Sequence, residues 1–484
     1  MRSSGLSGEH IGYTRGKGRR PALLFVMLAV MVLAAGCKYT AAPADLLQKP
    51  VIAADKEELA AAIKKQLPQF SVLMLPHRDD FKEAIRMMDL NHDGIEEAVV
   101  TYYNAFSAPE MMVLRKTEFG WRQFVIIEQP LARDIGWLRI ADLDQDGHFE
   151  FIVGWIGAFD SPNMLELYSL KEKAVRNDNG LLTMRAIQSL PYRLADSADL
   201  DEDGRPELVV LDALGTSGEL EVPSYFLSMY AWNDGELSKI GLATLPQGVS
   251  LFERLLTGRI SEEHYGVVLE GAAGAHSTLT YMYAWEKGGL NLVYPDPERG
   301  VEGFNASASR SDDMNGDGII ELHQMKAAPG LEDSAYVDTL WIHNWMQWDG
   351  DDRYLPTVEQ YQDYTYGVRI TIPELWKGRY TMKRPPSSSY GLVSFYYWNG
   401  SSKAMAELVT VYVVPLGQWG NVESAWKDEH RHYHLLYKDS GNAYLATFQQ
   451  EAPPGLGDKA MREWKDMLQV EAEFASYMTI ERES

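Results

Sequence analysis

The sequence predicts a mainly β protein, in which a five-bladed β-propeller, regular or irregular, carries repeated acidic loops and precedes a small α+β domain. One acidic loop motif occurs four times, and each copy lies between two short apolar runs typical of β-strands. Turn signals rich in Asn, Asp and Gly separate further strand-like runs after the loops. Four antiparallel strands repeated about an axis form a propeller. A β-solenoid is the alternative, but its repeats are usually much shorter than these.

Residues 1–36 have the pattern of an export signal peptide. Four basic residues between Arg15 and Arg20 precede an apolar run of 14 residues, which is shorter than the roughly 20 that span a bilayer. Residues 33–37, Leu-Ala-Ala-Gly-Cys, resemble a bacterial lipobox, which implies cleavage before Cys37 and a lipid on that residue. Cys37 is the only cysteine, so an acylated chain would have neither a free thiol nor a disulfide. We expect an exported bacterial membrane lipoprotein whose body faces outside the cytoplasm; an ordinary secretory peptide and an uncleaved anchor are the alternatives.

A tether and a helix are predicted between this anchor and the repeats. Residues 37–54 include an Ala/Pro-rich stretch without periodicity, as expected of a tether. The propeller is assigned to 55–363. It begins with a helix over 55–67, because Leu59, Ala62 and Ile63 recur at helical spacing, and a strand is expected over 70–75.

The acidic loops set a period along the chain. They begin at Asp89, Asp142, Asp199 and Asp313, so the gaps are 53, 57 and 114 residues and the last gap spans two periods. A fifth copy is therefore expected near residue 256. Residues 258–269 match that place, because they keep the apolar strand but retain only Glu262 among the acidic positions. We interpret this copy as a repeat that has lost its ion, which gives five units.

Each unit is predicted to contain a strand, the acidic loop, a second strand and two further strands. In the second unit these strands are 137–141, 150–155, 164–170 and 181–187. In the third unit, strands 224–232 and 237–242 flank Asn-Asp-Gly at 233–235, a strong hairpin signal.

The composition of the loops favours a calcium ion. Each has Asp at position 1, Asp or Asn at 3, Asp at 5, Gly at 6 and Glu at 9. Hard oxygen donors crowded on one turn suit Ca²⁺, which takes six to eight oxygens. An EF-hand or dockerin loop would place an acid at position 12, where this chain has Val100, Val153, Val210 and Gln324. Soluble Asp-Gly turns are the remaining alternative, but a turn requires only one or two such residues.

The loops resemble the FG-GAP/VCBS repeats of integrin-α-type propellers over about 280 residues. Two departures are the Glu at position 9, where such repeats more often have Asp, and the missing Phe-Gly-Gly-Ala-Pro element. The resemblance implies up to four structural Ca²⁺ ions, held by side chains at positions 1, 3, 5 and 9 and by the backbone carbonyl at position 7. The ligands it implies are Asp89, Asn91, Asp93, Ile95 and Glu97; Asp142, Asp144, Asp146, His148 and Glu150; Asp199, Asp201, Asp203, Arg205 and Glu207; and Asp313, Asn315, Asp317, Ile319 and Glu321.

Residues 364–484 break the period and are predicted to form a separate α+β domain. A segment over 366–380 reads as a strand that stops at Pro373 and continues to a second strand, and further strands are expected at 392–398, 407–414, 432–437 and 443–448. A closing helix is predicted over 458–475. Residues 370–380, Ile-x-Ile-Pro-x-x-Trp-x-Gly-x-Tyr, are weakly similar to the opening of PsbP-like domains, a similarity of some 15 residues that implies no catalytic residue.

Two further groups could carry chemistry. His430, His432 and His434 alternate, so on a strand they would face one side and could bind a transition metal; an exposed or partly buried strand face is the alternative. A second group could stack against a sugar or simply pack in the core, and it consists of Trp341, His343, Trp345 and Trp348.

The charge and the motifs limit the function. The formal net charge is −24, and it becomes about −28 without residues 1–36, so we expect no nucleic acid partner. No Ser-His-Asp signature, phosphate-binding glycine loop or paired thiolate motif stands out. We expect a non-enzymatic, lipid-anchored cell-envelope protein that binds a protein or glycan, or serves as a scaffold. The alternative is an extracellular carbohydrate-active enzyme, a lyase or hydrolase, on a calcium-binding propeller.

Overall fold

A computed structural model describes residues 54–79, 83–159, 161–177, 180–214, 224–233, 235–274, 276–386 and 389–481. The predicted signal peptide, the lipid attachment residue Cys37 and nearly all of the tether lie outside the described residues. The chain forms two compact units, and the described residues of the smaller unit are 54–67 and 117–121. Helix α1, Ala54–Gln66, belongs to this unit and confirms the predicted helix. Its Leu59 and Ile63 are buried, and Gln66 Nε2 donates to the carbonyl of Trp121 at 3.0 Å.

The described chain is mainly β, which confirms the predicted class, and its strands form six sheets numbered here in chain order. Inner strands such as Glu150–Gly157 are buried on both faces, because alternate side chains point to opposite sides of a sheet: Phe151 and Val153 belong to one core and Ile152 to the next. Sheet 1 consists of Val72–Leu73, Ile85–Met88, Glu97–Tyr103, Pro109–Thr117, Gly120–Glu128, Val175–Arg176 and Leu182–Thr183. Sheet 2 consists of Arg78–Asp79, Ala132–Ala141, Glu150–Gly157, Met164–Ser169 and Gln188–Pro191. Sheet 3 consists of Leu194–Ala198, Glu207–Leu214, Ser224–Asn233 and Glu236–Thr244.

Sheets 1 and 2 each contain a parallel pair of strands, whereas the paired strands of sheets 4 to 6 are antiparallel, and the last sheet draws its strands from the predicted C-terminal domain. Sheet 4 consists of Leu251–Arg259, Tyr265–Ala272, Thr278–Glu286, Gly289–Tyr294 and Phe304–Asn305. Sheet 5 consists of Leu322–Ala327, Trp341–Trp348, Tyr354–Asp363, Val368–Thr371 and Met478–Ile480. Sheet 6 consists of Tyr380–Lys383, Gly391–Tyr397, Ala406–Pro415, His434–Lys438 and Asn442–Phe448.

Buried side chains join each sheet to the next. Separate clusters link sheets 1 and 2, 2 and 3, 3 and 4, and 4 and 5, and the largest cluster links sheet 5 to sheet 6. Residues 258–269, predicted to be a repeat without its ion, contain the hairpin turn between the first two strands of sheet 4, where Ile260 N donates to the carbonyl of His264. The closure into five blades stays a prediction.

One predicted strand of the second repeat is wrong. Residues 181–187 do not form its fourth strand, because Val175–Arg176 and Leu182–Thr183 form a small hairpin that adds to sheet 1. Met184, next to this hairpin, is buried in the core between sheets 1 and 2. The fourth strand of sheet 2 is Gln188–Pro191 instead.

The C-terminal region contains the predicted strands and one helix that the sequence analysis did not predict. The predicted boundary at 363/364 falls in the turn between two strands that pair in sheet 5. Helix α2, Leu416–Asp428, packs Trp419 and Trp426 against Tyr412 and Tyr433. The predicted helix 458–475 is α-helical only over α3, Asp458–Met467, and continues as a 3₁₀ helix, Leu468–Tyr477.

Shorter 3₁₀ helices are Pro297–Arg299, Glu374–Trp376 and Ser402–Ala404. Two tryptophan indoles of the C-terminal region form hydrogen bonds that connect its 3₁₀ and α-helical segments to neighbouring backbone carbonyls. Trp376 Nε1 donates to the carbonyl of Met467 at 2.8 Å, and Trp464 Nε1 donates to that of Glu407 at 2.7 Å. Within the described ranges, no helix is both long and apolar enough to cross a membrane.

Candidate functional site

Three of the acidic loops connect two antiparallel strands, the fourth is closed by a single antiparallel bridge, and all four share one geometry. In every loop, the residue before position 1 pairs with the Glu at position 9, and these pairs are Met88 with Glu97, Ala141 with Glu150, Ala198 with Glu207, and Asp312 with Glu321. The pair closes the loop, so the eight residues between its members turn as one compact unit. The predicted position between two strands is therefore confirmed for the first three loops, whereas the fourth is closed by an isolated bridge, Asp312 with Glu321, directly before the strand Leu322–Ala327.

Hydrogen bonds inside each loop orient the carboxylates. The position 1 aspartate accepts the backbone N–H of the position 6 glycine, with distances of 2.9 Å at Asp89, 2.9 Å at Asp142, 3.0 Å at Asp199 and 2.9 Å at Asp313. These glycines have φ between 84° and 89°, a left-handed conformation that glycine adopts without steric cost. The left-handed backbone at position 6 therefore explains why a glycine follows the position 5 aspartate in every loop.

The position 5 and position 7 residues are also placed alike in the four loops. The position 5 aspartate accepts the backbone N–H of the position 7 residue at 2.8 or 2.9 Å, and the donors are Ile95, His148, Arg205 and Ile319. The same four residues were predicted to offer their carbonyl oxygens to calcium, and that assignment stays a prediction.

The position 9 glutamate is buried beneath its loop in all four copies. Its Oε2 accepts the backbone N–H of the position 2 residue, and the distances are 2.9 Å to Leu90, 3.1 Å to Leu143, 2.8 Å to Leu200 and 2.7 Å to Met314. Burial raises the pKa of the Glu207 and Glu321 carboxyls to about 7 despite these hydrogen bonds. A nearby cation would favour the ionised form, because it offsets the lost hydration.

Carboxylate oxygens converge in three of the loops. Their donor atoms lie within 4.8 Å of one another in the groups Asp142, Asp144 and Asp146; Asp199, Asp201 and Asp203; and Asp313, Asp317 and Glu321. In the first loop the matching positions are Asp89, Asn91 and Asp93, where Asn91 Nδ2 donates to Asp93 Oδ2 at 3.0 Å.

Several of these oxygens are buried without a hydrogen-bond partner, namely Asp144 Oδ1, Asp199 Oδ1 and Glu321 Oε1. The hydroxyl of Thr357, next to Glu321, donates to the carbonyl of Trp345 instead. A buried carboxylate oxygen without a partner is costly, and a metal ion is one of the few groups that would satisfy it. The donor set therefore fits a hard divalent cation such as Ca²⁺.

Basic side chains already contact two of the loops. Lys171 Nζ lies 2.8 Å from Asp144 Oδ2 and also contacts Asp146. Arg205 Nη2 lies 2.6 Å from Asp203 Oδ2. Because the ammonium group of Lys171 contacts two carboxylates of one cluster, it would compete with a cation at the second loop more strongly than Arg205 would at the third.

Successive loops touch through the side chain at position 4, which the sequence analysis did not single out. His92 Nδ1 lies 2.8 Å from the carbonyl of Gly147 in the second loop, and the His92 ring stacks on Phe149. Gln145 donates in the same way to the carbonyl of Gly204 in the third loop. His92 and Gln145 both have a positive φ, a conformation that their residue types do not reveal in the sequence. Loops 1 to 3 therefore form one continuous edge.

A cavity of about 410 Å³ lies beside sheet 5, away from the loops. Its lining includes Trp341, Tyr336 and Tyr364, and the rings of Tyr336 and Trp341 are 5.4 Å apart. Of the predicted stacking residues, Trp341 and His343 line this cavity, whereas Trp345 and Trp348 are buried at 3% and 4% exposure and serve packing. The cavity thus offers aromatic faces next to polar side chains.

His343 in the wall of this cavity forms a buried pair with His323. His323 Nδ1 accepts the backbone N–H of Arg310 at 3.1 Å, so its Nε2 carries the proton and donates to His343 Nδ1 at 2.9 Å. The remaining nitrogen of His343, Nε2, is therefore an N–H donor. Burial lowers the pKa of His343 to about 4, which keeps this donor neutral at pH 7.

The predicted histidine strand is wrong in part. His430 lies in the turn after helix α2 with φ of 55°. The strand His434–Lys438 begins four residues later, so the three histidines do not alternate along one strand. His432 and His434 do come together, with their rings 4.9 Å apart.

Comparison with models of known protein families and with curated proteins found no match to this chain.

Proposed function

We propose that this chain is a lipid-anchored cell-envelope protein, in which a calcium-stabilised, five-bladed propeller acts as a binding or scaffold module. The supporting observation is the set of acidic loops, which repeat one hydrogen-bonding pattern and leave buried oxygens of Asp144, Asp199 and Glu321 without a partner. Calcium would be structural in this proposal, because carboxylates committed to an ion are poor proton donors.

The expected stabilisation is large. Extracellular calcium modules often bind with Kd of roughly 10⁻⁴ to 10⁻³ M. At about 1 mM Ca²⁺, a site at the tight end of this range would stabilise the folded state by about 1.4 kcal/mol. Four such sites would contribute about 5 to 6 kcal/mol, which is comparable to the whole stability of a domain.

Thermal melts of the protein in chelator and in millimolar Ca²⁺ test this proposal, with Mg²⁺ as the control cation. We expect Ca²⁺ to raise the Tm by more than Mg²⁺ does. Asp199→Asn should reduce that rise, because it removes charge from one cluster. Asp352→Asn, which changes an exposed aspartate of another turn, is the matched control. Superimposable melts in chelator and in calcium would contradict a structural role for the ion.

The lipid anchor has its own test. The proposed attachment residue is Cys37, and Cys37→Ser should abolish lipidation and release the protein from the membrane fraction. An unchanged mass after inhibition of lipoprotein processing would contradict the anchor without affecting the calcium proposal.

The aromatic cavity supports binding of a glycan. Trp341, Tyr336 and Tyr364 provide apolar faces for sugar rings, and the N–H of His343 and the amide of Gln362 provide polar contacts. Among the described residues of its lining, Asp363 is the one carboxylate, whereas glycoside hydrolysis ordinarily requires two. The cavity therefore favours binding over hydrolysis.

A screen against a glycan array, followed by calorimetry with the best ligand, tests the cavity. Trp341→Ala should weaken binding at least tenfold, while Phe106→Ala, which changes an exposed aromatic residue elsewhere, should leave it unchanged. The carbohydrate-active enzyme is the second candidate, and release of new sugar ends from a bound glycan, lost in Trp341→Ala, would favour it.

A further inference from the structure

Two histidines and a glutamate converge at the outer edge of sheet 6, in a separate part of the chain from the acidic loops. They are His432, His434 at the start of the outermost strand, and Glu471 in the 3₁₀ helix Leu468–Tyr477. His434 Nε2 lies 2.8 Å and His432 Nδ1 lies 3.5 Å from the same oxygen, Glu471 Oε1. All three donor atoms lie within 4.8 Å of one another.

These distances are close to those that a small metal ion imposes. Zinc bonds to imidazole nitrogen and carboxylate oxygen are about 2.0 to 2.2 Å long, so two ligand atoms on a tetrahedral ion are about 3.3 Å apart. The two measured separations lie on either side of that value. The 3₁₀ helix supplies the carboxylate from a segment 37 residues beyond His434, so the convergence results from the fold rather than from a local turn.

The kind of donor distinguishes this place from the calcium loops. Two imidazole nitrogens and one carboxylate oxygen suit zinc and similar transition metals, whereas calcium prefers oxygen donors alone. The side chain of His432 is 61% exposed, so solvent can reach a fourth coordination position. His434 packs edge-on against Phe448, with ring centroids 5.8 Å apart, and this contact orients its imidazole.

We propose that His432, His434 and Glu471 bind one divalent transition-metal ion, of which Zn²⁺ is the best match, with a water molecule as the fourth ligand. The ion would link the outermost strand of sheet 6 to the 3₁₀ helix. That helix leads directly into Met478–Ile480, which pairs with Val368–Thr371 in sheet 5. The site would therefore fasten the C-terminal segment that connects the two sheets.

The test is metal binding by the full chain in millimolar Ca²⁺, which occupies the acidic loops. We expect one Zn²⁺ per chain by elemental analysis after dialysis, and visible absorption bands of tetrahedral cobalt when Co²⁺ replaces zinc. His432→Ala and Glu471→Gln should each weaken Zn²⁺ binding by more than about 100-fold, beyond the 10- to 100-fold effect of changing an outer-shell partner. His430→Ala, which changes the neighbouring histidine outside the group, should bind as the wild type does.

Thermal melts without zinc verify that the variants are folded, and wild-type protein is expected to gain stability with Zn²⁺ while Glu471→Gln gains none. The proposal is overturned if the wild type retains no zinc at equimolar concentration. It is also overturned if folded His432→Ala and Glu471→Gln keep their affinity, or if His430→Ala loses it. The calcium and glycan proposals remain independent of each of these outcomes.

Discussion

Acidification from pH 7.5 to pH 5 is expected to destabilise the protein through the buried pair His323 and His343. Both side chains are almost completely buried, at 2% and 3% exposure. Burial lowers the pKa of His323 to about 3 and that of His343 to about 4, and the charges of nearby Arg254, Arg310 and Arg369 act in the same direction. Protonation of His323 would also place two donors face to face, because its Nδ1 already accepts the backbone N–H of Arg310.

The magnitude follows from the difference between the folded and unfolded pKa values. Both folded values lie below the ordinary 6.5, so the contribution to stability is complete above about pH 6.5 and is lost as the pH falls towards the folded values. At pH 5 the unfolded histidines are charged and the folded pair is neutral. Each histidine then reduces the free energy of unfolding by about 2 kcal/mol, and the pair reduces it by about 4 kcal/mol.

Denaturant unfolding of wild type and His343→Asn at pH 7.5 and pH 5 measures this effect, with calcium kept saturating. The introduced asparagine side chain is not ionisable, and its amide oxygen can accept from His323 Nε2 as the imidazole Nδ1 does. The variant should lose about 2 kcal/mol less than the wild type between the two pH values, whatever its stability at pH 7.5. The other titrating groups contribute equally to the pH dependence of the free energy of unfolding in both proteins, so their contributions cancel in this comparison. Equal losses in the two proteins would refute the reasoning, and the exposed-histidine variant His430→Ala should behave as wild type.

Three further substitutions have expected outcomes. Lys171→Met should strengthen calcium binding at the second loop up to about fivefold in a calcium titration, because it removes a competing ion pair worth up to about 1 kcal/mol. In the same titration, the control variant Lys173→Met, which changes an exposed lysine, should bind calcium as the wild type does. Trp376→Phe should lower the free energy of unfolding by about 2 to 3 kcal/mol, because it leaves the buried carbonyl of Met467 without its hydrogen-bond donor and opens a void. A variant as stable as the wild type would contradict this stabilising role of the indole. His92→Ala should lower the Tm in calcium by an amount equivalent to about 1 kcal/mol, because it removes the link from the first loop to the second, and an unchanged Tm would show that the link is not stabilising.

Local signals allowed much of the loop architecture to be predicted. The Asp-Gly step at positions 5 and 6 requires a left-handed glycine, as at Gly147, and an apolar strand on either side fixes where the loop begins and ends. These features lie within about ten consecutive residues, so periodicity along the chain was enough to find them. Three of the loops connect paired strands for that reason, and the fourth is closed by the bridge between Asp312 and Glu321.

Features that depend on distant parts of the chain could not be predicted in the same way. The hairpin around 175–183 joins sheet 1 because Met184 fits the core between two sheets, whereas its sequence suits a strand of sheet 2 equally well. Helix α2 contains two glycines, Gly417 and Gly420, and its stability comes from aromatic contacts made by Trp419 and Trp426. Lys171 and Glu471 reach their partners only through the fold.

The glutamate at position 9 has a physical reason that the loop sequence alone does not reveal. Its side chain lies under the loop, and one carboxylate oxygen accepts the N–H of position 2, a reach that suits the longer side chain of Glu. The other oxygen is engaged by Arg115 at 3.1 Å in Glu97 and by Ser169 at 2.8 Å in Glu150, but it has no partner in Glu321. The four loops therefore differ in how many oxygens remain for an ion, even though their sequences look equivalent. Glu321 has an oxygen free to bind an ion directly, whereas Glu97 and Glu150 act first as internal supports that hold the loop in shape.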